Sequence, residues 1–118
     1  MEKKSFTFDY LHYDSLDGLP DEDRKLVEQA LHACGEAYAP YSGFRVGAAA
    51  RLANGTIFSA NNQESEVFPS GMCAERSLLY YIQANGNREA IEALAIVSMP
   101  GEHECYPCGA CRQVLLDT

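Results

Sequence analysis

Two short motifs constrain this chain more than anything else in it: Cys73-Ala74-Glu75 and, well downstream, Pro107-Cys108-Gly109-Ala110-Cys111. A Cys-x-x-Cys step alone also serves redox pairs and structural zinc knuckles. Three cysteines with an acid two residues after one of them form a narrower set, because a catalytic zinc keeps three protein ligands and one open position for water. Cys73 and Cys108 both fall where helices are predicted to begin, and free N–H groups at a helix start stabilise thiolates. A fold that uses Cys73, Cys108 and Cys111 together therefore has to bring two distant helix starts to one point.

Three thiolates on one Zn2+ leave a negative local charge, which opposes ionisation of a bound water. The two helix starts offset it, and so do Arg76 and Arg112, each placed just after a ligand motif. The blander reading of these arginines is an exposed helix surface. Glu75 lies two positions beyond Cys73, a step of roughly 200° on a helix. At the very first turn Cys73 need not be helical, so both side chains can converge on one cleft. A carboxylate there does general acid/base work on a zinc-activated water. Its blander reading is a first-turn acid placed for the helix dipole.

The remaining pattern is α/β. Pro20 followed by Asp21, Glu22 and Asp23 marks a helix start. Leu26, Val27, Ala30, Leu31, Cys34 and Tyr38 then recur at helical spacing as one apolar face, with Cys34 read as core. Ala39-Pro40-Tyr41-Ser42-Gly43 breaks that helix. Residues 44–53 read as a strand, Asn54-Gly55 as a hairpin turn with both positions at positive φ, and residues 56–60 as the returning strand. A polar loop over 61–71 carries Asn62, Glu64 and Pro69. A second helix runs from near Cys73 through Leu78, Leu79 and Ile82 to a stop at Asn85-Gly86. Residues 92–98 read as a strand buried on both faces, on the contiguous Leu94, Ala95, Ile96 and Val97. Residues 99–107 form a loop, and a third helix opens at Gly109. Residues 1–19 are expected to be an N-terminal extension, with a short edge strand over 5–8, and residues 20–118 one domain with helices packed on a sheet.

Bulk numbers narrow the function classes. The 118 residues suit one compact domain, and 47% hydrophobic residues support a core without disulfides. Nine basic residues against seventeen acidic ones give a net charge of -8, which argues against nucleic acid as a partner. Neither a basic groove nor an aromatic stacking stripe is visible. No signal peptide and no run of ~20 apolar residues is present, so no membrane partner and a reducing cytoplasm are expected. Five cysteines, an odd number with three crowded between 105 and 111, then read as metal binding or catalysis rather than disulfides.

The chain resembles the small zinc-dependent cytidine deaminases over roughly residues 24–117. The resemblance rests on residues 38–49 (Tyr38 through Gly43 to Ala49), on Asn62-Gln63-Glu64, on residues 69–76 around Cys73-Ala74-Glu75, and on residues 107–113 around Cys108 and Cys111. It implies a three-layer α/β fold with a mixed sheet and helices packed on it. The family's C-terminal strands are missing from this sequence, so the zinc domain is expected to be truncated at that end. It implies zinc on Cys73, Cys108 and Cys111, and Glu75 as the proton carrier for attack on C4 of cytosine and departure of ammonia. Asn62 and Glu64 match positions that bond the sugar hydroxyl, Phe44 matches a position whose ring packs against the base, and Ala74 is counted with them as substrate-binding. As a bland alternative, Phe44 is a core residue at a strand start. The implied reaction is deamination of cytidine or deoxycytidine to uridine or deoxyuridine in pyrimidine salvage, by a homo-oligomer (dimer or tetramer). Two alternatives stand beside it. One is a blasticidin-type or modified-nucleoside deaminase. The other is a shortened, idle homologue whose zinc is structural, with Cys105, otherwise read as a free thiol, as a fourth ligand.

Overall fold

The computed structural model describes residues 3–5, 7, 9–67, 70–86, 88–99 and 109–117, with the side chains of 109–112 excepted. Helix α1 (Asp21–Gly35) starts after Pro20 and carries Asp21, Glu22 and Asp23 in its first turn. Its buried stripe is Leu26, Ala30, Ala33 and Cys34. Leu31 and Tyr38, both expected on that stripe, are instead 42% and 54% exposed. Leu31 sits one helical step off the stripe, and the helix has already ended before Tyr38 is reached.

Strands β1 (Arg45–Leu52) and β2 (Ile57–Asn61) form the hairpin. Its turn differs from the expected two-residue type. The Gly55 N–H donates to the Leu52 carbonyl at 2.9 Å, and the Leu52 N–H to the Thr56 carbonyl at 2.8 Å. Gly55 has φ 88°, whereas Asn54 is not at positive φ. The Asn54 side-chain oxygen accepts the Thr56 N–H at 3.0 Å, a local bond that stabilises a three-residue loop without a left-handed Asn.

Strand β3 (Ile91–Met99) pairs with the other edge of β1, giving the order β2-β1-β3. Both pairings are antiparallel, with Gly47 opposite Asn61 on one side and Val97 on the other. Among the described residues the named strands therefore make no parallel pair. Burial on both faces belongs to β1, where Ala48, Ala49, Ala50 and Leu52 are fully buried. β3, expected to have that character, is mostly half-buried, with Ala95 its one buried residue. The physical reason is position: β1 is central, and among the described residues β3 pairs on one side only.

The two faces of β1 seat different helices. Ala49 and Ala95 meet Leu26 and Ala30 of α1. Val46, Ala48, Ala50 and Leu52 meet Leu78 and Ile82 of α2 (Ala74–Asn85) on the opposite face, completing three layers. Gly47 is what lets α1 come so close: a Cβ there would lie 2.0 Å from the Ala30 carbonyl oxygen and 2.5 Å from the Cys34 nitrogen. Helix α3 (Gly109–Asp117) packs against α2, with Val114 buried. Before α1 the described residues are exposed apart from half-buried Leu19, and they include one 3-10 turn at Leu16–Gly18 that local sequence did not announce. Of the strand expected over 5–8, Phe6 and Phe8 lie outside the described residues, while Ser5 and Thr7 are exposed and belong to no strand. Among the described residues, no helix is long and apolar enough to cross a membrane.

Candidate active site

The start of α2 holds the first motif. Cys73 is the N-cap residue, with extended backbone angles (φ -68°, ψ 154°), so the helical step argument does not separate it from Glu75. Its sulfur is half-buried and accepts the Arg76 Nη2 at 3.4 Å. A guanidinium so placed balances negative charge gathered at the sulfur. Glu75 is 5% exposed, the one buried charged residue among those described. The positive end of the α2 dipole lies beside it, which lowers the cost of burying a carboxylate there. Ala74 between them is fully buried.

The opposite wall is built from three chain segments. The Gln63 N–H donates to the Met72 carbonyl at 2.9 Å and the Met72 N–H returns to the Gln63 carbonyl at 2.8 Å. On its other side the Tyr38 N–H donates to the Asn62 carbonyl at 3.1 Å, and the Glu64 N–H to the Tyr38 carbonyl at 2.9 Å. Residues 62–64 are thus the middle rung of a small ladder that sets Cys73, immediately after Met72, beside them. Asn62 and Glu64, two apart in extended chain, both turn toward residues 41–46. The Asn62 amide donates to the Phe44 carbonyl at 3.0 Å and its oxygen accepts the Val46 N–H at 2.9 Å. Glu64 Oε1 accepts the N–H groups of Tyr41 and Ser42 at 3.0 and 3.1 Å, and Oε2 accepts the Ser42 hydroxyl. That hydroxyl, more than the Ser42 and Tyr41 N–H groups, holds the Glu64 carboxyl below the ordinary glutamate range, with desolvation opposing.

Asn62, Glu64, Cys73 and Arg76 line one cleft of about 460 Å3, large enough for a small organic ligand. Glu75 and Ala74, both buried and directly after Cys73 in the chain, are not among its lining residues, and neither is Phe44, which is 38% exposed. Cys108 and Cys105 lie outside the described residues. Cys111 and Arg112 belong to the first part of α3, but their side chains also lie outside the description. Cys73 is therefore the one member of the expected thiolate set whose side chain is described. Among the described residues no group of three metal-binding side chains gathers. A half-buried sulfur lining the cleft at a helix start is nevertheless the donor chemistry that a borderline-soft divalent metal takes. Cys34 sits far from all this in chemistry: it is fully buried on α1, donating to the Arg45 carbonyl at 3.3 Å.

Sequence reasoning passed over Tyr41, Ser42, Gln63 and Met72 as site residues. They act through backbone groups and one hydroxyl, for which no residue-type signature exists. The hints were that Pro40-Tyr41-Ser42-Gly43 forms a turn, whose N–H groups need acceptors, and that Tyr41, Ser42, Gln63 and Met72 all fall within the segments carrying the family resemblance.

Fold and cleft together define a class: a three-layer α/β domain with a thiol and a buried carboxylate at one helix start, beside a cleft of metabolite size. Residues 20–118 match the family described as the cytidine and deoxycytidylate deaminase zinc-binding region. A cytidine deaminase of Sporosarcina psychrophila is 40% identical over 93 residues, covering 79% of this chain and 67% of the relative. One from Halalkalibacterium halodurans is 37% identical over 92 residues, covering 78% and 68%. The crystal structure of cytidine deaminase from Burkholderia pseudomallei superposes with a TM-score of 0.73 at 41% identity, covering 78% of this chain and 72% of that one. The chain belongs to the cytidine deaminase family.

Proposed function

We propose that this protein hydrolyses the exocyclic amine of cytidine or deoxycytidine, releasing ammonia and uridine or deoxyuridine, with zinc as its metal. The observation that carries the reading is the pairing of buried Glu75 with cleft-lining Cys73 at a single helix start. Cys73, Cys108 and Cys111 would hold the ion, which when bound makes a water nucleophilic at neutral pH.

The chain's own residues do the rest. Glu75 takes a proton from the attacking water and delivers it to the ring nitrogen. Once the C4–O bond has formed, the same carboxylate takes the second proton from the oxygen now on C4 and passes it to the amine, so that the C4–N bond breaks, ammonia leaves and the C4 carbonyl forms. Its burial keeps those protons from bulk solvent. Asn62 and Glu64 bind the sugar, and both have capacity left for it. Beyond the bonds named above, Asn62 retains roughly one N–H and one lone pair, and Glu64 roughly one acceptor position. Because both are already fixed to the 41–46 segment, little side-chain entropy is lost when a hydroxyl arrives. Phe44 packs its ring against the base and Ala74 contributes to substrate binding, while Arg76, and Arg112 on α3, offset the charge of the thiolates. The same reading takes a homo-oligomer, pyrimidine salvage and the cytoplasm as the protein's setting.

The test is direct. Purified protein carrying about one zinc per chain should convert cytidine to uridine with one ammonia released per turnover. Zinc-loaded protein that leaves both cytidine and deoxycytidine untouched would overturn the reading and favour a structural ion.

A further inference from the structure

We infer that Ser42 is a positioning residue that couples the sugar-binding carboxylate to the ring that covers the base, so that the two contacts act as one unit; this rests on the deaminase reading above for its substrate. The coupling runs through a single oxygen. Ser42 Oγ donates to Glu64 Oε2 and at the same time accepts the Phe44 N–H at 3.0 Å. Glu64 Oε1 grips the same turn from its backbone side, through Tyr41 and Ser42 N–H. The turn is otherwise lightly held: the Gly43 N–H donates to the Ala39 carbonyl at 3.0 Å, with Gly43 at φ 68°. Ser42 lines the same cleft as Cys73, but its hydroxyl is engaged by Glu64 and the Phe44 N–H, which assigns it to positioning rather than to proton transfer.

Without the hydroxyl, two groups lose their partner at once. Oε2 of Glu64 becomes free to rotate away from the orientation that meets a sugar hydroxyl, and the Phe44 N–H loses its acceptor. Asn62 still holds the Val46 N–H and the Phe44 carbonyl, so the strand itself stays in register. The defect is thus confined to substrate binding. Its signature differs from that of a damaged fold, which lowers kcat and KM performance together.

The experiment compares Ser42→Ala and Ser42→Thr with the unaltered protein in two measurements. In steady-state kinetics, Ser42→Ala should raise KM for cytidine about tenfold with kcat changed about twofold at most, the pattern of binding lost equally from ground and transition states. Ser42→Thr, which keeps the hydroxyl, should restore KM. In amide hydrogen exchange, the Phe44 N–H of Ser42→Ala should exchange about tenfold faster, the scale of one lost hydrogen bond. The Val46 N–H should be unchanged. Unchanged Phe44 exchange overturns the coupling, as does a fall in kcat at constant KM or a failure of Thr to rescue. If the unaltered protein does not deaminate cytidine, the functional reading fails instead, and the exchange result alone then decides whether the hydroxyl holds the turn.

Discussion

Helices α1 and α2 cover opposite faces of the same sheet, and both begin with acidic residues, yet the acids do opposite things. In α1, Asp21 and Glu22 are exposed, and Asp21 pairs with Arg24 one turn on. They sit where a helix dipole favours negative charge and where water keeps them solvated. In α2, Glu75 occupies the same part of the helix but is 5% exposed. A dipole contact does not require burial, and burial of a carboxylate costs free energy unless something compensates it. The seats differ as well. Against α1 the sheet offers Ala49, Ala95 and Gly47, with half-buried Val97, and at Gly47 backbone meets backbone; against α2 it offers Ala48 and Ala50 together with the larger Val46, Leu52 and half-buried Phe58. The α1 side is built for close contact and the α2 side carries the chemistry.

That contrast breaks most visibly at Glu75. Glu75→Gln keeps the shape and removes the titrating oxygen, so turnover should fall by about 10^3-fold or more while zinc content is retained. Melting temperature should hold or rise, since a neutral amide is easier to bury than a carboxylate. Normal turnover with a lower melting temperature would make Glu75 a structural first-turn acid like those of α1. The next largest effect is on the other face. Gly47→Ala places a Cβ 2.0 Å from a backbone oxygen of α1, which no rotamer change relieves. It should lower unfolding free energy by about 3 kcal/mol in denaturant titration, the upper end of overpacking costs. A loss near zero would mean that α1 rides loosely on β1.

What was legible in the sequence follows the same division. Helix starts, the hairpin and the Cys73-Ala74-Glu75 motif rest on local spacing and residue type, and the structure carries α1, α2 and the hairpin close to the expected places. Centrality in the sheet was not legible. The run from Leu94 to Val97 looks like the most buried strand, but the fully buried one holds Ala48, Ala49 and Ala50. Being central depends on pairing along two edges and on how near a helix can come, and the second favours small residues over apolar ones. The grip of Glu64 on Tyr41 and Ser42 was equally hidden, because it joins residues more than twenty positions apart through backbone N–H groups. Asn62 and Glu64 were singled out for a sugar; nothing local indicated that each also holds the opposite wall.

The smallest effect sharpens the comparison from the α1 side. Asp21→Asn removes one exposed charge from the first turn of α1 together with its pair to Arg24. Both interactions are screened, so the loss should be about 0.3–1 kcal/mol at low salt. It should shrink toward zero at about 1 M salt, where the Debye length falls to about 3 Å. Cytidine turnover should not change at either salt concentration. A loss that persists undiminished in high salt would show that Asp21 is held by something other than dipole and surface charge, and the two helix starts would then be more alike than their burial indicates.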